Sequence, residues 1–520
     1  FEGYNWPINA TFDNDQVVSD LKAGQGIALK GNGLGILSVI RAYIARLKLN
    51  DGIYSLEKIL TQAKDHTVVI TAGGQAQRNA KYTQIGKCLA LTPIISKTAN
   101  TASPIMESLL DLAVNMEANY KDSFMFTVIY GDALMTFNPE ELASYYTTNP
   151  EIKDGLACLL LKMSYKEATK YGMAMQKGIN VVKIQETYST AEEEEIKKEI
   201  GNQGLSNDEL MKAWLKTRGY LVEDDSILMN PAFSVLGIKA FIAYAYLAGI
   251  VNKEGMVEVK EGKVQYQQGN YLDKALNGEI GKEVDIDYFG KIVPAFAQEA
   301  KSETIADLLK DYRGLLYALP VKGVWYDTGA ILQERDTSLQ KETYQEIAET
   351  YQLQETIASA VKVEGEVVKS YAYNSYVEAE QGDIHPKTLI TNTFIKAGEI
   401  ILEEGSQIYN VLLNNIKYLR LYKEYVLNEG AVKIDGKDFA AFLIWEQVID
   451  DVKENFYGNR PLTSNLFKSK IFPVISIQQL AGNEPIDKLD AQLYQQLPEI
   501  LEYLQQKIKS PPSSYKEALK

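Results

Sequence analysis

Cysteine and histidine are nearly missing: the 520 residues hold only Cys88 and Cys158, His66 and His385. Two thiols cannot build a disulfide framework or a thiolate metal site. Two imidazoles leave little room for a histidine-built zinc site or a Ser-His-Asp triad. Excess positive charge is also absent, because 54 Lys and Arg face 69 Asp and Glu for a formal charge of −15. That balance argues against a general nucleic-acid binder or an anionic-membrane binder, while leaving room for a local basic pocket around one nucleotide. No apolar run reaches the roughly 18–20 residues of a membrane span, and the longest, Ala240–Val251, reads as a buried helix. No signal-peptide pattern stands at Phe1, and Asn9-Ala10-Thr11 is a sequon of a kind common by chance. The expectation is a soluble, cytoplasmic protein of two or three domains, each long enough for its own core.

Against these absences, residues 68–93 stand out. Val68, Val69, Ile70 and Thr71 read as a buried strand that Ala72-Gly73-Gly74 ends abruptly. Adjacent glycines let a backbone approach a ligand with no Cβ in the way. Successive free N–H groups in such a turn form a concave anion site. Arg78 and Lys87 follow, both able to meet a triphosphate. A purely structural turn is the competing reading of Gly-Gly alone; the following Arg78 and Gly86-Lys87 make the phosphate reading more specific.

This spacing, strand–AGG–x3–R–x8–K, resembles the signature loop of sugar-1-phosphate nucleotidyltransferases. Within that superfamily the chain is most similar to the L-fucokinase/GDP-L-fucose pyrophosphorylase family, in its pyrophosphorylase portion. The resemblance implies an α/β protein, a Rossmann-like nucleotidyltransferase domain followed by a parallel left-handed β-helix-like domain. It implies that Ala72, Gly73 and Gly74 with Gly31, Gly33 and Gly131 contact the nucleotide, and that Arg78 and Lys87 act on its phosphates.

Earlier in the chain, Lys30-Gly31-Asn32-Gly33-Leu34-Gly35 precedes a helix expected over Ile36–Leu49. The family's GSGGAT-like loop matches here at Gly31, Gly33 and Leu37 and departs at Asn32, Leu34 and Ile36. A flexible turn before a core helix is the structural alternative. Ser103–Met116 reads as a helix with Pro104 in its first turn. Phe124–Ile129 reads as a strand covered on both faces, as in a parallel sheet, and ends at Tyr130-Gly131-Asp132. A carboxylate just past such a strand sits where ligands bind in open α/β sheets. The resemblance makes Asp132 a Mg²⁺ ligand, in keeping with a hard cation that needs one or two carboxylates when phosphates are present. A turn-capping aspartate is the alternative.

Leu156–Met163 and Val181–Gln185 read as strands, and Tyr171–Met175 resembles a family HGVF-type segment. Where the family carries Gln-Lys-Pro, this chain carries Gln185-Glu186-Thr187. Gln185 keeps the match; Glu186 replaces the lysine that would meet the sugar phosphate, and Lys183 shares the strand face of Gln185. Residues 188–224 break the rhythm with Glu192–Glu195 followed by Lys197 and Lys198, a solvated helical insertion. Ile227–Asn230 resembles a strand before a long helix, with Asn230 where an aspartate is usual. Asp285–Ala297 matches a helix near the sugar site, and Gly323–Gly329 resembles the W-x-D-x-G segment closing the catalytic domain. The resemblance assigns Gln185, Asn230 and Gly329 to the substrate and Asp327 to the metal. A turn-forming role for Asp327 is an equal alternative.

From about residue 355 a repeat emerges. Asn374, Asn392 and Asn410 recur at intervals of 18 with Asn428 one interval further, and Ala372, Ile390 and Ile408 keep the same phase. Eighteen residues are three hexapeptides, one coil of a three-sided β-helix, in which stacked asparagines can form a hydrogen-bonded ladder. The expected domains are 1–350, catalytic with the insertion near 188–224; 355–480, β-helix-like; and 481–520, a helical tail. Ile471-Phe472-Pro473-Val474 matches a run near the family's end.

The reaction implied is in-line attack of a sugar 1-phosphate, best guess L-fucose 1-phosphate, on the α-phosphorus of a nucleoside triphosphate, best guess GTP. Pyrophosphate leaves and GDP-L-fucose forms, with Mg²⁺ as cofactor. No nucleic-acid or membrane partner is expected, and self-association through the β-helix domain is left open. A catalytically weak or inactive relative kept as a structural or assembly subunit is the competing reading, favoured by Glu186, Asn230 and the altered first glycine loop.

Overall fold

A computed structural model describes residues 28–30, 33–71, 91–95, 102–131, 133–135, 137–165, 172–185, 198, 206–222, 225–267, 269–280, 283–300, 304–323, 325–327, 354–355, 360–368, 370–409, 411–421, 423, 425–434, 437–446, 474–476 and 489–490. The chain forms two compact units of mixed α and β structure: Phe1–Thr71 with Leu112–Tyr130 and Phe137–Gly323, and Ala72–Asp111 with Gly131–Thr136 and Val324–Lys520.

The first unit is built on a nine-stranded sheet. Its strands in chain order are β1 (His66–Thr71), β2 (Met125–Tyr130), β3 (Leu156–Ser164), β4 (Gly172–Lys177), β5 (Asn180–Gln185), β6 (Leu221–Val222), β7 (Ser226–Asn230), β8 (Phe233–Leu236) and β9 (Leu316–Val321). They lie in the order β6-β7-β4-β5-β9-β3-β8-β2-β1, and β7 also pairs with β3. The pairing β3–β7–β4–β5–β9 therefore closes on itself. The sheet is mixed: β1–β2 and β3–β9 are parallel, whereas β8 runs antiparallel to both β2 and β3. The apolar run of β2 signalled burial on both faces correctly, but not the direction of both neighbours, since either ladder tolerates a continuous apolar strand.

Helices cover this sheet where local sequence starts and stops them. The helix α1 (Gly33–Ala45) is followed by α2 (Leu56–Ala63), whose N-cap Ser55 accepts from the Lys58 N–H and whose chain leaves through Lys64 in the left-handed region. The helix α3 (Ile105–Glu117) begins two residues later than the sequence suggests, because Ala102–Pro104 is taken up by a strand against Leu91–Ile95. In α4 (Pro139–Thr148), Asn138 accepts from the N–H groups of Glu140 and Glu141, with Pro139 in the first turn. Within the expected insertion lies α5 (Asn207–Thr217), opened by a capping box between Ser206 and Glu209 and stopped by Gly219 at φ +78°. The acidic run Glu192–Glu195 lies outside the described residues.

The helix α6 (Ile238–Leu247) is the buried one, with seven of its residues in the core and none offering a polar stripe. Its Phe241 ring meets those of Phe124, Phe126 and Tyr43 at centroid distances of 4.9, 5.1 and 5.5 Å. Burying each such ring contributes about 1.5–3 kcal/mol. Asp285–Ala297 is not a continuous α-helix. Strand Glu283–Asp285 is followed by a π-turn, Tyr288–Ile292, and a 3₁₀ turn, Val293–Phe296. Pro294 has no N–H to continue the helical ladder, and the chain tightens there instead.

The second unit carries two stacked ladders. Strands β10 (Ala360–Val363), β12 (Tyr376–Ile384), β14 (Phe394–Leu402) and β16 (Leu412–Leu421) form one ladder; β11 (Tyr371–Tyr373), β13 (Leu389–Thr391), β15 (Gln407–Tyr409) and β17 (Tyr425–Ile434) form the other. All are parallel, and Tyr376 pairs with Phe394 and Leu389 with Gln407, an interval of 18 in each case. Buried Val377, Ile395 and Leu413 stack in one column, and Ile384, Leu402 and Leu421 in another.

Asn374 and Asn392 occupy the corners in the left-handed region, at φ +50° and +49°, and the Asn374 Nδ2 donates to Asn392 Oδ1 at 2.7 Å. Asparagine tolerates that conformation and supplies the ladder at once. Asn410 lies outside the described residues. Asn428 is out of phase: one extra residue between Leu413 and Ile416 shifts the register, so that Asn428 pairs with Tyr409 at an interval of 19. The parallel stacking then gives way to an antiparallel hairpin of β17 with β18 (Lys437–Glu446), followed by β19 (Val474–Ser476). In the stretch expected as a helical tail, Leu489–Asp490 forms β20, parallel to β16. Among the described residues no helix is long and apolar enough to cross a membrane.

Candidate active site

The strand that feeds Ala72-Gly73-Gly74 is pinned at its start. On β1, the His66 Nε2–H donates to the carbonyl oxygens of Tyr120 and Ser123, each at 2.9 Å, and Nδ1 stands 2.9 Å from Glu117 Oε1. One imidazole thus ties the strand to the C-terminal end of α3. The loop itself, with Arg78 and Lys87, lies outside the described residues, as do Gly31, Asp132, Glu186 and Gly329.

Gly33 is placed, and its surroundings explain it without a ligand. Its N–H donates to the Ile286 carbonyl at 2.6 Å, and a Cβ there would stand 2.5 Å from that oxygen. Upstream, Ala28–Lys30 pairs in parallel with Glu283–Asp285. The described flanks of the first glycine loop, Ala28–Lys30 and Gly33, therefore both meet the segment 283–286.

The segment 283–292 is a hub the sequence marked only as a helix. The Phe289 ring lies 4.5 Å from that of Tyr130, the last residue of β2. Tyr288 OH and Ser234 Oγ are 2.8 Å apart and buried, and Asp287 accepts from the N–H groups of Phe289 and Gly290. A π-turn of this kind often marks a functional position, and Asp287 with Gly290 and Pro294 was its available signal.

Two of the three substrate candidates share one rim of the sheet. Asn230 at the end of β7 pairs with Gly172, while Gln185 at the end of β5 pairs with Met173, so β4 separates them by a single strand. Asn230 is buried, and its Oδ1 accepts from the Ala232 N–H at 3.1 Å, holding Ala232 at φ +58°. This Asx turn is a structural use of the asparagine, at the point where β7 leaves off and β8 begins. Lys183 pairs with Met175 beyond a register shift after Val181 and keeps the face of Gln185.

In the second unit, Gly131 is buried immediately after β2. The strand Ala133–Met135 pairs antiparallel with Trp325–Asp327, setting Asp327 opposite Ala133. The backbone of Asp327 is thus brought beside the residue that follows Asp132. Among the described residues no group of three or more His, Cys, Asp or Glu side chains gathers to hold a metal ion. A Mg²⁺ that takes its remaining oxygens from phosphates needs only one or two carboxylates, and a pair of aspartates is the donor chemistry it prefers.

Among the described residues the one cysteine, Cys158, is no candidate nucleophile. Cys158 sits buried near the start of β3, and burial pushes its thiol up to about 12. Tyr43 is also pushed up, first by burial and then by its 2.9 Å hydrogen bond to Asp65.

No family model and no curated protein matches this chain. Matches among solved structures include a chain described as a glucose-1-phosphate thymidylyltransferase from Bacillus anthracis, solved in complex with sucrose. It is 13% identical, covers 52% of this chain and 93% of its own, and has a TM-score of 0.25.

Proposed function

We propose that the protein is a sugar-1-phosphate nucleotidyltransferase, with GTP and L-fucose 1-phosphate as the favoured pair and a left-handed parallel β-helix in its C-terminal half. The observation that carries the reading is the register Asp327↔Ala133. The motifs that contain the candidate metal pair, Asp132 and Asp327, lie far apart in the chain, and the pairing of Ala133–Met135 with Trp325–Asp327 supports reading them as one site.

In this reading the attacking phosphate oxygen is already an anion, so no general base or covalent nucleophile is required, and catalysis is positioning plus charge neutralisation. Gly73 and Gly74 give the triphosphate backbone room, Arg78 holds the β- and γ-phosphates, and Lys87 neutralises charge developing around the α-phosphorus. Asp132 and Asp327 would hold Mg²⁺, which supplies further positive charge to the phosphate oxygens when bound. Gln185 and Asn230, at strand ends on one rim of the sheet, would contact the sugar.

Glu186 favours a second reading. A carboxylate in place of a lysine opposes a sugar phosphate by roughly 1 kcal/mol or more when partly desolvated, and Gly33 already has its N–H committed to Ile286. A weak or inactive relative serving as an assembly subunit would show both features. Pyrophosphate release with GTP, UTP, CTP and ATP against a panel of sugar 1-phosphates, with Mg²⁺, separates the two. Release with one pair, lowered by orders of magnitude in Asp132→Asn, supports the transferase; no release with any pair refutes it.

A further inference from the structure

We infer that the outer face of the parallel ladder β10-β12-β14-β16 binds a second copy of this chain, in a reversible two-fold dimer. Three large side chains stand in one column on that face. The Tyr376 and Phe394 rings stack at 5.4 Å and 19°, and Leu412, next in register, is 52% exposed. An apolar column on a solvated sheet face is unusual, because the other outward positions of these strands are mostly charged.

The neighbouring column says what covers it. Glu378 and Lys396 stand opposite each other on β12 and β14, 3.6 Å apart and about half exposed. A two-fold axis along the strand direction, midway between β12 and β14, exchanges these two strands and keeps each column on itself. It lays Tyr376 on Phe394 of the second copy and Glu378 on Lys396 of the second copy, twice each. In the two central strands apolar meets apolar and Glu378 and Lys396 each meet their opposite, which is the self-complementarity an isologous interface requires, while Lys362, beside Glu378 on β10, lies towards the edge of the patch. An acidic or a basic partner protein would meet one of the two charges with its own sign.

The size of the patch sets the strength. Four strands about 4.8 Å apart and five residues of about 3.3 Å each cover roughly 300 Å² per copy. Stable dimers bury about 800 Å² per partner. The association is therefore concentration-dependent, and it follows from this face whatever reaction the other unit performs.

Sedimentation velocity on the full chain, from about 10 μM to about 1 mM, reads it. The wild-type chain should shift from monomer towards dimer. Glu378→Lys alone and Lys396→Glu alone should each weaken self-association by about tenfold or more, because like charges then face each other across the axis. Mixing these two variant chains should restore association, since each supplies the charge the other lacks. Far-UV circular dichroism and melting temperature check that both variants fold. A wild-type chain that stays monomeric throughout overturns the inference. So do single variants that dimerise as the wild type does, and a mixture that associates no more than its components.

Discussion

The corner asparagines allow a stability prediction worked from geometry. Asn374 does two things: it places its backbone at φ +50°, and it donates from Nδ2 to Asn392 Oδ1 at 2.7 Å. Asn374→Ala loses the hydrogen bond, about 1 kcal/mol net, and forces a Cβ-bearing residue without a compensating side chain into the left-handed region, about 1–2 kcal/mol more. Asn374→Gly loses the same bond but accepts the conformation, and adds only about 0.5 kcal/mol through the freedom of its unfolded chain. Alanine should therefore cost about 2.5 kcal/mol and glycine about 1.5. Native-state hydrogen exchange at the Tyr376 and Phe394 amides, which donate to the Thr393 and Val411 carbonyls at 2.8 Å, reports opening of this ladder directly. At 1.36 kcal/mol per tenfold, exchange should speed up by about 70-fold for alanine and about 12-fold for glycine. Combining glycine at both Asn374 and Asn392 should fall short of the sum of the singles by about 1 kcal/mol, because one bond is lost, not two. Glycine exchanging as fast as alanine would refute the backbone half of this reasoning. Strict additivity in the double variant would refute the ladder.

Two further predictions concern single side chains. Gly33→Ala should destabilise the first unit by about 1–3 kcal/mol in denaturant unfolding, because its Cβ would stand 2.5 Å from the Ile286 carbonyl oxygen; unchanged stability with weakened nucleotide binding would instead mark Gly33 as a ligand contact. The Glu404 carboxyl is held down to about 2 from its ordinary 4.5, chiefly by its hydrogen bonds from Lys387 and Lys423. Its folded value lies below its unfolded one, so its contribution is complete above about pH 4.5 and is lost as pH falls towards 2. Glu404→Gln should flatten the acid-side fall of the melting temperature in that window, and 1 M salt should do the same to the wild type, since the pair is solvent-exposed.

How far the sequence could be read depended on which physical quantity each pattern encodes. The repeat was legible because parallel strands paired at an interval of 18 put equivalent residues side by side, so Ile390 and Ile408 are both buried and Asn374 and Asn392 meet through their side chains. The slip that sends Asn428 opposite Tyr409 was not, because a single extra residue in β16 leaves composition and alternation untouched while changing every later register. The hairpin of β17 and β18 was hidden for a related reason: inward–outward alternation is the same in parallel and antiparallel ladders, so the change of direction has no signature in it. The buried helix α6 could be read from its apolar run, whereas the π-turn at Tyr288–Ile292 could not, since its shape depends on docking to Gly33 and Tyr130. The same distinction applies to the site. Asp132 and Asp327 are candidates from motif alone, whereas the backbone pairing between Ala133 and Asp327 is specified by no local pattern. Asn230 shows the converse: a residue singled out for substrate has a sufficient structural use in holding the Ala232 turn. Its replacement by aspartate would keep the accepting oxygen and lose only the amide. Asn230→Asp therefore separates what the turn needs from what a sugar would need.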